Sequence, residues 1–124
     1  MTVELVWETD ELLVVKYSGE VDGGQAYSSL VDLGGDIRFD RLRGIIGDGS
    51  GITKNIASDH DIERMASATK ALSKSNPNIR NAVIMGPIDD AQTLITYYQF
   101  LSEEIEWEIE VFKTEHEARA WVNQ

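Results

Sequence analysis

The stretch from Thr2 to Tyr17, TVELVWETDELLVVKY, decides how the rest of the chain is read. Val3, Leu5 and Trp7 alternate with Thr2, Glu4, Val6 and Glu8, the two-residue period of a half-buried strand. Asp10-Glu11 breaks the run as a turn, and Leu12 to Tyr17 supplies a second strand. Two strands this close pair as a hairpin. A phosphoacceptor receiver domain needs its first strand to lead into a helix beside an acidic, magnesium-holding pair. The hairpin therefore argues against that fold, even though Asp48 and Lys113 stand near strand ends.

Downstream, Leu42 to Gly47 and Ala82 to Met85 are short apolar runs, as expected of central parallel strands covered on both faces. Trp107, Ile109 and Val111 alternate with Glu106, Glu108 and Glu110, giving a last strand with one wet face whose charges protect a sheet edge. Helices fill the intervals, and their starts share one device. Asp22 with Gln25, Ser58 with Asp61, Asp89 with Gln92 and Thr114 with Glu117 all have the capping-box spacing. The apolar stripes agree: Ala26, Leu30 and Leu33; Ile62, Met65, Ala66, Thr69 and Leu72; Leu94, Tyr98 and Leu101; Ala118, Trp121 and Val122. Gly34-Gly35 is placed to close the first helix in the left-handed C-cap conformation. The reading is an α/β domain over 1–124, a five-stranded mixed sheet with four helices near 23–33, 59–74, 90–105 and 115–122. Its order is β-β-α-β-α-β-α-β-α, with the last three strands parallel through right-handed crossovers.

Composition limits what such a domain does. Eleven basic and twenty-two acidic residues give a net charge of −11, which repels phosphate backbones and anionic lipid surfaces. Nucleic acid and stable membrane insertion are thus not expected. No cysteine is present, which removes a disulfide framework, a thiolate metal site and a cysteine nucleophile together. Without a basic segment and apolar core at the start, or an apolar run near the roughly 20 residues of a membrane span, the expected location is the cytoplasm.

The element order, at this length, resembles the STAS domains, most closely the SpoIIAA-like branch of small single-domain bacterial proteins. Local sequence resembles it too: a strand ending in aspartate at Ile45-Ile46-Gly47-Asp48, an Arg-x-Ala-Val start at Arg80, and a close running from Phe112 through Ala118 to Trp121. In antagonist members of that family, a serine opening the second helix is phosphorylated, which breaks binding to an anti-sigma kinase. Ser58 stands where that serine would be, with Asp59 and Asp61 in place of the family's flanking Asp and Gly. For the SpoIIAA-like branch, the resemblance implies small or lipid-like ligands.

Several constellations compete with plain folding roles. Gly47 to Lys54 holds three glycines after a strand, a possible anion-binding nest or ligand loop, but it matches neither a P-loop nor a dinucleotide fingerprint. Asp59, His60, Asp61 and Glu63 are what a first helical turn attracts through its dipole, and no metal site is read there. Tyr97 and Phe100 fall off the core stripe of the third helix and point to a ligand, a partner or a second copy of the chain. The expected function is a non-enzymatic regulatory or sensor module, without cofactor, that binds a small apolar ligand. The alternative is an antagonist-type interaction switch with a regulatory protein partner, acting through the loop 48–58. Contact candidates are Asp48, Ser50, Tyr97 and Phe100, with Ser58 as phosphoacceptor candidate and a homodimer as a further possibility.

Overall fold

The computed structural model describes residues 2–55, 58–85 and 103–124. Strands β1 (Thr2–Trp7) and β2 (Leu12–Val21) form the hairpin, followed by α1 (Gly23–Gly34) and a 3-10 turn over Ile37–Arg41. Then come β3 (Gly44–Asn55), α2 (Asp59–Ser75), β4 (Arg80–Ile84), β5 (Glu108–Phe112) and a C-terminal helix, here α3 (Glu115–Val122). The five strands lie in chain order, β1 to β5. β1 is antiparallel to β2, and β2 through β5 are all parallel, so parallel pairing begins one strand earlier than the sequence reading placed it. The helix expected over 90–105 falls outside the described residues up to 102; Glu103 and Glu104 are helical. No helix among the described residues is long and apolar enough to cross a membrane.

A sheet whose order never reverses sends successive right-handed crossovers over the same face. Leu33 of α1 and Leu72 of α2 accordingly pack with Leu13, Val15, Ile45 and Trp107 in one core layer. α3 folds back onto the other face, where Ala118 and Val122 meet Val14, Ile46, Ala82 and Ile84. Neighbouring residues of one strand thus serve opposite cores, as the strand period requires. Burial of each large side chain in these layers contributes on the order of 1.5–3 kcal/mol.

The long apolar layer is closed at one end by Asn76, only 4% exposed. Its side-chain amide donates to the carbonyls of Phe39 (2.9 Å) and Leu42 (3.0 Å), and its own carbonyl accepts the indole N–H of Trp107 at 2.7 Å. One residue therefore joins the end of α2, the 3-10 turn and the approach to β5. Among the described residues, no buried side-chain nitrogen or oxygen lacks a partner.

Three expectations change in the structure. The glycine-rich segment after Asp48 is not a loop, because β3 continues to Asn55 beside β2. It does so through a bulge: β2 advances from Lys16 to Ser18 while β3 advances from Asp48 to Gly51. A side chain at Gly51 would sit 2.8 Å from the Tyr17 carbonyl, so glycine is what allows the strands to stay paired there. α1 ends at the expected glycines, but Gly35 has φ −87° and is not left-handed. Gly34 is instead a close-packing residue, since a methyl group on it would lie 2.8 Å from Leu72 Cδ2. Val111, assigned to the buried face of the last strand, is 41% exposed, whereas Trp107 on the same face is 5% exposed.

Asn76→Ala should lower stability by about 1–3 kcal/mol in urea unfolding. The cost stays in that range because each carbonyl keeps another donor, the Leu42 N–H for Phe39 and the Arg43 guanidinium for Leu42.

Candidate functional site

α2 begins with a complete capping box. Ser58, extended at φ −79° and ψ 165°, accepts the Asp61 N–H through its hydroxyl at 3.1 Å. The Asp61 carboxylate accepts the Ser58 N–H at 3.1 Å in return. The Ser58 backbone N–H and hydroxyl hold the Asp61 carboxyl below the usual carboxylate range, and the charges of Arg64 and His60 act in the same direction. Ser58 remains exposed while doing this.

The start of α1 abuts the same turn. Asp22 caps α1 by accepting the Gly24 N–H at 2.9 Å, a tighter closure than the Gln25 box the spacing suggested. Gly23, the next residue, lies directly against Asp61: a methyl group there would overlap the Asp61 Cβ and reach within 2.6 Å of its carboxylate oxygen. Further along the two helices, the Arg64 guanidinium lies over the Tyr27 ring at 4.2 Å. Two open cavities flank this pair. One, of about 630 Å³, is lined by Asp22, Gln25, Ser28 and Asp32; the other, of about 490 Å³, by His60, Glu63 and Ser67; both include Tyr27 and Arg64.

The other candidates are placed elsewhere. Asp48 and Ser50 are brought together in the β3 bulge, where Asp48 Oδ1 accepts both the backbone N–H (2.9 Å) and the hydroxyl (2.7 Å) of Ser50. Neither is hydrogen-bonded to the Ser58 cap. Tyr97, Phe100 and the Asp89 cap lie outside the described residues. Arg38 pairs with Asp36 at 2.7 Å, holding that carboxyl down to about 2, and stacks over Trp7 at 4.1 Å. Among the described residues no group of three or more histidine, aspartate or glutamate side chains is placed to hold a metal ion.

Neither a protein-family model nor a curated protein matches the sequence. Solved structures do. The anti-sigma factor antagonist SpoIIAA in its unphosphorylated form superposes with a TM-score of 0.64 at 16% identity, covering 98% of this chain and 96% of that one. The chain has a SpoIIAA-like, STAS-type fold. The Bacillus cell fate determinant SpoIIAA in its phosphorylated form gives a TM-score of 0.59 at 16% identity, covering 98% of this chain and 99% of that one. An uncharacterized protein of Shewanella loihica PV-4 with a SpoIIAA-like fold gives 0.60 at 16% identity, covering 98% and 92%. Within this SpoIIAA-like frame, Ser58 at the head of α2 was legible from its spacing to Asp61. Tyr27 and Arg64 were not singled out. Each lies off the apolar stripe of its helix, which was the available signal, but only the packing of α1 on α2 makes them a pair.

Two measurements check this geometry. Gly23→Ala should destabilise by about 1–3 kcal/mol because the added methyl forces the helix starts apart. Gly24→Ala, with only the Asp22 carboxylate near it, should stay within about 1 kcal/mol of wild type. For Asp61, the folded-state pKa is depressed, so its charged form stabilises the fold at neutral pH and that stabilisation is lost as pH falls through the depressed value. The advantage of wild type over Asp61→Asn in unfolding midpoint should therefore shrink on acidification; a pH-independent difference would contradict the assignment.

Proposed function

We propose that the chain is a non-enzymatic regulatory module that binds a protein partner through the Ser58 end of α2, in the manner of an anti-sigma-factor antagonist. The observation that carries this reading is the Ser58 hydroxyl, which caps α2 and is exposed at the same time. A phosphate there adds about −1.5 to −2 charges. The N-terminal end of a helix tolerates an anion, so the domain keeps its fold. A partner docked on the same turn meets the new charge beside Asp59 and Asp61, and like-charge juxtaposition across an interface is costly. Modification therefore acts on the complex more than on the domain. SpoIIAA, whose fold the chain shares, exists in phosphorylated and unphosphorylated forms, which supports a phosphorylation-controlled reading.

The non-enzymatic reading draws on how the polar groups are spent. The Ser50 hydroxyl donates to Asp48, and the Ser58 hydroxyl is a cap acceptor, so both are accounted for by folding. The sheet order has no reversal across β2, β3 and β4, the arrangement that opens a strand-end ligand crevice in doubly wound folds. The apolar-ligand and homodimer expectations rest on Tyr97 and Phe100, outside the described residues, while the two cavities among the described residues are open to solvent and mixed in lining.

The test places phosphoserine at position 58 and compares it with wild type and Ser58→Ala for partner binding and stability. Ser58→Ala should lose about 0.5–2 kcal/mol of stability and still bind. Phosphoserine at 58 should keep the fold and weaken partner binding by about tenfold or more, a step of roughly 1.4 kcal/mol. Unchanged binding by the phosphorylated protein would contradict the reading.

A further inference from the structure

The seam between α1 and α2 holds an arrangement that the core does not explain and that the cap at Ser58 uses only through the charge of Arg64. Tyr27 is half-buried, with one face of its ring covered by the Arg64 guanidinium at 4.2 Å. Arg64 is exposed and engages in no ion pair among the described residues. Among the described residues it is the one arginine or lysine lining either cavity, with His60 beside the second, against Asp22, Asp32 and Glu63. Asp32 and Glu63 are exposed and likewise in no ion pair among the described residues. An aromatic face that already accepts a guanidinium, rimmed by carboxylates, is suited to a cation from outside.

Resting on the protein-interaction reading above, we infer that this seam receives a basic segment of the partner, whose arginine takes the Tyr27 ring from Arg64. Charge fixes the sign of the partner. The rim is acidic and the whole chain carries −11, so a basic segment is drawn in while an acidic one is repelled. The same argument disfavours a second copy of the chain. Arginine suits the place better than lysine, because its planar, weakly hydrated guanidinium stacks on an aromatic face. The two cavities, about 630 and 490 Å³, lie on either side of the Tyr27–Arg64 pair and leave open space beside that anchor. Arg64 acts as a resident competitor. Its displacement toward the carboxylates of the rim adds no uncompensated charge.

The experiment titrates the isotope-labelled full chain with a short helical peptide carrying arginine on one face, and with its lysine and glutamate counterparts. The arginine peptide should shift resonances on residues 22–32 and 60–71 and bind more tightly than the lysine peptide. Tyr27→Leu should erase the preference for arginine over lysine. Asp32→Asn with Glu63→Gln should weaken binding about three- to tenfold, as expected for two partly exposed charge pairs. Arg64→Gln should tighten binding, since it removes both the competitor and a like charge. Weaker binding by Arg64→Gln, binding of the glutamate peptide, shifts confined to other surfaces, or a dimer lost in Tyr27→Leu would each overturn the inference. A natural partner released by phosphoserine at 58 yet indifferent to Arg64→Gln would overturn it while leaving the Ser58 reading in place.

Discussion

The close, parallel approach of α1 and α2 is the constraint on which the proposed partner surface depends. Two close approaches, Gly23 to Asp61 and Gly34 to Leu72, are separated by eleven residues on both helices, about three turns. The helices therefore run side by side in fixed register, with both N-termini at one end. Glycine at Gly23 is the condition for that spacing, since a methyl group there would overlap the Asp61 Cβ, whereas at Gly34 it would meet only the tip of the Leu72 side chain. Between those two points the surfaces diverge enough for a ring and a guanidinium to stack, which is where Tyr27 and Arg64 sit.

The sheet makes this approach necessary. Strand order that follows chain order puts both crossovers on one face, and the shared apolar layer from Leu13 to Trp107 leaves no room for either helix to drift. Asn76 fixes the far end of α2 to the 3-10 turn and to Trp107. On the opposite face α3 is tied to the hairpin, because Arg119 forms a two-pronged bond to Glu8 (2.8 Å for each) and a further one to Glu115. With one end anchored and the face filled, the N-terminal end of α2 is left as the accessible turn, and Ser58 stands on it.

Much of this was legible from periodicity and caps. Gly23–Gly34, Asp59–Ser75 and Glu115–Val122 begin where Asp22, Ser58 and Thr114 announce them, because an N-cap is a local bond that needs no tertiary partner. The glycines misled for the opposite reason. Gly51 and Gly34 look like loop and C-cap residues in sequence, yet each answers to a neighbour distant along the chain, Tyr17 for one and Leu72 for the other. Arg38 stands close to Arg41 and Arg43 along the chain, but in the fold Asp36 and Trp7 absorb it. The Tyr27–Arg64 pair depends on the register of two helices, and no spacing within a single helix encodes it.

On the proposed reading the chain meets its partner on the α1–α2 seam, at its Ser58 end, with the sheet and α3 serving as scaffold. Hydrogen–deuterium exchange of the full chain, alone and in complex with its protein partner, tests this most directly. New protection is expected over residues 22–32 and 58–67, with β1 and α3 unchanged. Protection centred on the free edge of β1 or on α3, with the seam unaffected, would contradict it.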